Sequence, residues 1–78
     1  MMVIKILGGG CPNCTILYNN VKSACRELKI EAEVIKVQDF AEIAKYGVMS
    51  TPALVINEKV VGIGKLKYKK VRRLVQDA

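Results

Sequence analysis

The sequence predicts an α/β fold in which a four-stranded mixed sheet is flanked by helices, and three observations lead to it. Residues 2–7 form an apolar run with a single lysine, which is typical of an interior strand covered on both faces. From Cys14 to Leu28, apolar residues recur at steps of three and four, which is the pattern of an amphipathic helix. Closer to the C-terminus, two β-branched runs flank a short turn led by Asn57, which indicates a hairpin.

A second strand and a short second helix lie between these segments. In residues 30–37, apolar and charged side chains first alternate, and the segment then becomes mostly apolar. The charged side chains suit an edge strand. Because a helix joins this strand to the first one, we expect a parallel, right-handed βαβ unit. Asp39 with Glu42 indicates the start of the second helix, and Gly47 lies where that helix would end in the left-handed conformation.

The hairpin strands are predicted at residues 53–56 and 60–64, and a last helix at residues 65–76. The expected order is therefore β-α-β-α-β-β-α. A chain of 78 residues leaves little room for a second unit, so residues 1–78 are expected to form a single domain.

The net charge of +6 is concentrated in residues 65–73, which hold six basic side chains. Tyr68 is the only aromatic residue among them and no nucleic-acid motif surrounds them, so we interpret this run as the solvated face of a terminal helix and expect no nucleic-acid partner.

No apolar run approaches the roughly 20 residues of a membrane span, and the apolar start is too short for a signal-peptide core. We therefore expect a cytoplasmic protein without a membrane partner.

The candidate functional site is the turn at residues 8–14, which reads Gly-Gly-Gly-Cys-Pro-Asn-Cys between the first strand and the first helix. The first turn of a helix presents unpaired N–H groups and the positive end of the macrodipole, which stabilise a thiolate and lower its pKa. Pro12 suits the first helical position, and the glycines leave the first sulfur uncovered. We therefore interpret Cys11 as the attacking thiol and Cys14 as the resolving thiol of a redox-active disulfide.

Cysteines at this spacing can also bind metal ions. A zinc site needs four nitrogen or sulfur ligands, whereas the chain has three cysteines and no histidine. Cys25 lies on the same helix face as Cys14 but roughly 16 Å further along the axis, so we expect it to be a core residue. The main alternative is a metallochaperone that binds Cu(I) through Cys11 and Cys14, although such domains end on a strand and this chain ends on a helical pattern. We predict no resident metal and no cofactor.

Thr51 and Pro52 introduce the hairpin, and with the Cys11-Pro12-Asn13-Cys14 motif they resemble the thioredoxin-like superfamily over the whole chain. In length the chain is similar to glutaredoxins and to small redox-active disulfide proteins of archaea and bacteria. The resemblance implies a thioredoxin-like fold and a cis Pro52 packed against the cysteines. It also implies substrate-binding roles for Pro12, Asn13, Thr51 and Pro52, with an extended substrate segment along the Thr51 backbone.

The resemblance implies a thiol–disulfide oxidoreductase that reduces protein disulfides, in which Cys11 forms a mixed disulfide and Cys14 releases the reduced substrate. The sequence departs from the pattern of these families at two places. Thioredoxins bury an aspartate six residues ahead of the first cysteine, where this chain has Lys5, which either lowers thiol pKa values or reaches solvent. Glutaredoxins hold glutathione with a glycine-rich turn and an acidic residue, whereas here residues 62–64 are followed by Lys65. That argues against glutathione and favours a flavin-dependent thioredoxin reductase as partner, with the protein expected to be a monomer.

Overall fold

The computed structural model describes residues 2–9, 12–48 and 50–78. It contains four strands and three helices in the predicted order, so the predicted fold class is confirmed. They are β1 (Met2–Leu7), α1 (Pro12–Glu27), β2 (Ala32–Val37), α2 (Phe40–Lys45), β3 (Ala53–Ile56), β4 (Lys59–Ile63) and α3 (Tyr68–Asp77).

The four strands form one mixed sheet in the order β2-β1-β3-β4. β1 runs parallel to β2 and antiparallel to β3, and β3 is antiparallel to β4. The parallel βαβ unit, the hairpin and the edge position of β2 are therefore as predicted. Since β3 runs against β1, the ends of β1 and β2 at Leu7 and Val37 meet the start of β3 at Ala53. We refer to this edge as the Leu7 end of the sheet.

The sheet separates two apolar clusters, one on each face. The cluster under α1 and α3 contains Ile4, Ile6, Leu17, Val21, Ala24, Cys25, Leu54, Ile56, Val71 and Val75. The cluster under α2 contains Leu7, Val37, Ile43, Ala53 and Val55. Because successive side chains of a strand point to opposite faces, the even-numbered residues of β1 face α1 and the odd-numbered ones face α2.

α1 begins at Pro12, as predicted, and ends in a Schellman motif without glycine. Lys29 has a φ of 55°, and its N–H donates to the Arg26 carbonyl at 3.2 Å. The N–H of Ile30 donates to the Cys25 carbonyl at 2.9 Å, which closes the helix end. Because Ile30 is used in this way, β2 starts at Ala32 and not at residue 30, which corrects the predicted strand.

The limits of α2 follow the predicted signals. The Asp39 side chain accepts a hydrogen bond from the Ala41 N–H at 3.0 Å, and Gly47 has a φ of 72° just after the last turn. The predicted start of the last helix is wrong by three residues. Lys67 is extended, with a φ of −72° and a ψ of 157°, and the Leu66 carbonyl accepts a hydrogen bond from the Asn20 amide at 3.3 Å. The chain therefore crosses from β4 to α1 before α3 can begin.

The hairpin turn has two residues in the left-handed region, Asn57 with a φ of 50° and Glu58 with a φ of 69°. Asn57 is tied to the start of β1, since its N–H donates to the Val3 carbonyl at 2.8 Å and its side chain accepts from the Val3 N–H at 3.0 Å. β4 starts at Lys59 and ends before Gly64, one residue earlier at each end than predicted. None of the helices in the described part of the chain is long and apolar enough to cross a membrane.

Candidate functional site

The predicted site lies at the Leu7 end of the sheet, where α1 begins. Pro12 and Asn13 form the exposed first positions of the helix, whereas the side chain of Cys14 is buried and only 5% exposed. Cys11, the predicted attacking thiol, lies outside the described residues together with Gly10. Its role therefore stays a prediction, and the geometry of the site has to be built from its neighbours.

Gly8 is the point where the predicted site residues come together. A Cβ atom built on Gly8 would lie 2.3 Å from the Cys14 Sγ and 3.8 Å from the Thr51 Cβ. The Cys14 sulfur therefore packs directly against the backbone at the end of β1, with Thr51 beside it. The Gly8 N–H donates to the Val37 carbonyl at 2.9 Å, so this backbone is fixed by the parallel pairing with β2.

The segment that precedes β3 completes the same end of the molecule. The Thr51–Pro52 peptide bond is cis, which is the isomer that the resemblance implies. Pro52 is buried and its carbonyl accepts a hydrogen bond from the Gly64 N–H at 2.6 Å, whereas Thr51 is exposed. The structure thus places Cys14, Thr51 and Pro52 around the Leu7 end, as expected for one site.

A small cavity of about 20 Å³ lies beside the Cys14 thiol. It is lined by Ile6, Gly8, Cys14, Thr15, Lys36 and Gln38. The pairing of Ile6 with Lys36 places this lysine on the α1 face of the sheet, and its Nζ lies 4.5 Å from the centroid of the Tyr18 ring. The sequence analysis missed Lys36, because only the register of β1 against β2 brings it next to Cys14.

Lys5 is not part of this site. It lies on the α2 face, where its Nζ is 2.9 Å from the Glu58 Oε1 and donates to the Tyr46 hydroxyl at 2.9 Å. The hydrogen bonds to Glu58 and then to Tyr46 raise the pKa of Lys5. The hydrogen bond from Lys5, and then the one that the Tyr46 hydroxyl donates to the Glu58 Oε2 at 2.9 Å, lower the pKa of the Glu58 carboxyl. The interpretation that Lys5 lowers thiol pKa values is therefore corrected, because the sheet separates it from Cys14. Its side chain is 22% exposed and reaches the surface beside Glu58, in line with the other interpretation.

Cys25 is a core residue, as predicted. Its side chain is 8% exposed and packs in the cluster under α1 and α3. Burial raises the pKa of the Cys25 thiol, although the positive charge of Lys22 acts in the opposite direction. A buried thiol with a raised pKa is a poor nucleophile near neutral pH.

The chain is similar to known proteins in family, in sequence and in structure. The family model described as "Thioredoxin domain" matches residues 2–76. A thioredoxin from Methanocaldococcus jannaschii is 47% identical over 66 residues, which are 85% of this chain and 76% of that protein. A thioredoxin from Methanothermobacter thermautotrophicus is 35% identical over 69 residues, 88% of this chain and 90% of that protein.

Solved structures of thioredoxins share the fold at lower sequence identity. A mutant thioredoxin from Halobacterium salinarum superposes with a TM-score of 0.74 at 21% identity, over 97% of this chain and 73% of that one. The germline-specific thioredoxin Deadhead of Drosophila melanogaster gives a TM-score of 0.71 at 21% identity, over 97% of this chain and 79% of that one. The family match over nearly the whole length, together with the two archaeal relatives, shows that this chain belongs to the thioredoxin family.

Proposed function

We propose that this chain is a protein-disulfide reductase in which Cys11 attacks and Cys14 resolves. Membership of the thioredoxin family makes it a thiol–disulfide oxidoreductase in general terms. The observation that supports the specific proposal is the position of Cys14. Its sulfur lies in the first turn of α1, packed on Gly8 and next to the exposed Thr51.

The proposed reaction has two exchange steps. The Cys11 thiolate attacks one sulfur of the substrate disulfide, and the other substrate sulfur leaves as a thiolate that takes a proton from water. Cys14 then loses its proton and attacks the Cys11 sulfur, which forms the Cys11–Cys14 disulfide and releases the first substrate sulfur. Two electrons pass from the dithiol to the substrate. The N-terminus of α1 stabilises the negative charge on the cysteines at each step.

The substrate is proposed to bind as an extended segment across the Leu7 end of the sheet. Thr51 would pair with it through its backbone, in the manner of an added strand. The exposed Pro12 and Asn13 would contact it on the other side of the cysteines, and the buried Pro52 would fix the backbone of the groove. This arrangement suits protein substrates, because it recognises main chain and not one particular side chain.

Thioredoxins act on protein disulfides and are generally reduced by thioredoxin reductase, and we propose a flavin-dependent reductase as the electron donor of this chain. Glutathione is not favoured, because Lys65 and Leu66 follow β4 where an acidic residue would be needed to hold it. The family match gives no support to the Cu(I) alternative. We further propose that the protein acts in the cytoplasm as a monomer.

The two cysteine variants test the mechanism because they should fail differently. Cys14→Ser keeps the attacking thiol and removes the resolving one, so incubation with insulin should accumulate a mixed disulfide on a non-reducing gel. Cys11→Ser should trap nothing, and Cys25→Ala should behave as the unchanged protein. Identical behaviour of Cys11→Ser and Cys14→Ser, with similar losses of Cu(I) binding, would contradict the redox mechanism and favour the metal site.

A further inference from the structure

The outer face of α3 carries a concentration of positive charge. Val71 and Val75 are completely buried in the core, so the opposite side of the helix is turned to solvent. A shallow groove on that side is lined by Lys69, Arg72, Arg73 and Gln76. Because these four residues recur at steps of three and four, they share one face of the helix. We refer to them as the α3 basic surface.

Most of this positive charge is not neutralised within the protein. The Nε of Arg72 lies 3.6 Å from the Glu27 Oε2, where α3 meets α1, and the Arg72 side chain is 49% exposed. Across the residues that the structure describes, no carboxylate lies within ion-pair distance of Lys69 or Arg73. The surface therefore presents two cations without an acidic partner and a third that is only partly covered.

These charges work against the stability of α3. Its first turn holds Lys69 and Lys70 but no acidic residue, and Lys67 at the N-cap makes no side-chain cap hydrogen bond. Positive charge near a helix N-terminus opposes the macrodipole, and like charges four residues apart, such as Lys69 and Arg73, repel each other. A face that only had to stay soluble would be more stable with acidic residues here. A role in binding explains the charges better than a role in folding.

The extent and the borders of the surface favour a protein as the partner. From Lys69 to Gln76 it spans roughly 10 Å along the helix axis, and Glu27 and Asp77 place negative charge at its borders. A nucleic-acid duplex carries an unbroken row of phosphates, which would meet those two carboxylates. A bilayer would need an apolar face to insert, but the apolar face of α3 is already buried. A partner helix with a short acidic stripe meets neither obstacle.

The α3 basic surface lies at the end of the molecule away from the candidate site. α3 begins against Glu27, at the opposite end of α1 from Cys14. Its last residues line a groove with Ile56 and Asn57, which lie at the opposite end of β3 from Pro52. A partner bound to α3 therefore leaves the Leu7 end of the sheet accessible.

We propose that the α3 basic surface docks an acidic helix of a partner protein, whose carboxylates, three and four residues apart, pair with Lys69, Arg72 and Arg73. Each arginine can offer a carboxylate two parallel N–H donors, and Gln76 adds an amide that both donates and accepts. The docking involves no covalent step and is independent of the proposed disulfide reduction.

The test uses the full chain and an alanine-based peptide of about 20 residues, long enough to form a helix in water, with glutamates three and four residues apart on one face. Binding is measured by fluorescence anisotropy at about 0.1 M salt, where charges more than about 10 Å apart are largely screened. Amide NMR shifts should change on α3 and not at the Leu7 end. An isomeric peptide with its glutamates spread around the helix should bind about threefold more weakly or worse, since it loses surface ion pairs.

Lys69→Glu should change stability and binding in opposite directions. The new carboxylate suits the helix N-terminus and precedes Arg73 by four residues, so Tm should rise by roughly 2–5 °C. Affinity for the peptide should fall about fivefold or more, because an attraction becomes a repulsion. Lys45→Glu is the matched control, since it makes the same change of charge at an exposed position in the last turn of α2. It should lower Tm and keep the affinity within about twofold.

Equal losses of affinity in Lys69→Glu and Lys45→Glu, or equal binding of the two peptides, would show that only net charge matters and would overturn the docking surface. A lower Tm in Lys69→Glu would overturn the argument that this lysine serves binding and not folding. Tighter binding of a DNA duplex of about 20 base pairs or of phosphatidylserine vesicles than of the peptide would overturn the acidic helix as the partner.

Discussion

Replacing Gly8 by alanine should disturb the candidate site more than the same change at any other described glycine. The new Cβ would lie 2.3 Å from the Cys14 sulfur and 3.4 Å from the Cys14 Cβ. Ordinary contact distances begin near 3.5 Å, so the sulfur has to move by about 1.2 Å. Overpacking of this kind costs about 1–3 kcal/mol, and about 2 kcal/mol corresponds to a lowering of Tm by roughly 10 °C in a chain of this size.

The same displacement should impair the exchange reaction. Misplacing a reacting group by about 1 Å can cost on the order of 100-fold in rate, so we expect Gly8→Ala to reduce insulin at least tenfold more slowly. Gly9→Ala is the matched control, because a Cβ there meets nothing within 4 Å. It should change the unfolding free energy by less than about 0.5 kcal/mol. Equal stability and equal insulin reduction in the two variants would refute the packing of Cys14 on Gly8.

Four further substitutions or labelling tests address other parts of the structure. Gly62→Ala should cost less than about 1 kcal/mol by urea unfolding, because its Cβ would lie 2.7 Å from the flexible end of the Leu66 side chain and 3.5 Å from that of Leu74, and would meet no backbone. Lys29→Gly should raise the unfolding free energy by about 0.5–1 kcal/mol, because lysine is strained at a φ of 55°; a loss of stability would contradict this. The hydrogen bond from Lys5 lowers the pKa of Glu58, so its contribution is present above the ordinary pKa of 4.5 and is lost on acidification. Glu58→Gln should therefore be less stable than the unchanged protein in urea at neutral pH, and the difference should narrow progressively as the pH falls below 4.5; a difference that stays constant on acidification would count against the pair. Cys25 should react with iodoacetamide only after unfolding, because burial raises its pKa; mass spectrometry of the native protein checks this, and ready labelling would disprove its place in the core.

The order of elements could be predicted because local signals and long-range packing agree. The apolar stripe of α1, the Asp39 cap and the glycine after α2 each act within a few residues, and the structure uses each of them. The parallel pairing of β1 with β2 follows from the length of the helix between them. The boundary errors have identifiable causes: the hydrogen bond from Ile30 that closes the end of α1 delays β2, and the Asn20 amide that binds the Leu66 carbonyl delays α3.

The positions of Cys14, Thr51 and Pro52 at one end of the sheet could be predicted from the sequence, whereas the partners of the nearby charged side chains could not. Lys5 and Glu58 are 53 residues apart, so no local pattern could show that they pair across the sheet. Lys36 is adjacent to Cys14 only because the register sets Ile6 against it. Strand propensity does not set the register of β1 against β2, and a shift of one residue in that register would turn the Lys36 side chain to the other face of the sheet.

The distribution of charge over the two faces gives the molecule a strong electric dipole. Residues 12–27 and 65–78, which contain α1 and α3, hold eight basic and two acidic side chains and so account for the whole net charge of +6. α3 begins against Glu27 at the far end of α1, roughly 20 Å along the helix axis from Cys14. A negatively charged support would therefore adsorb the protein through the face that α1 and α3 cover, which would leave the α2 face of the sheet directed towards solution.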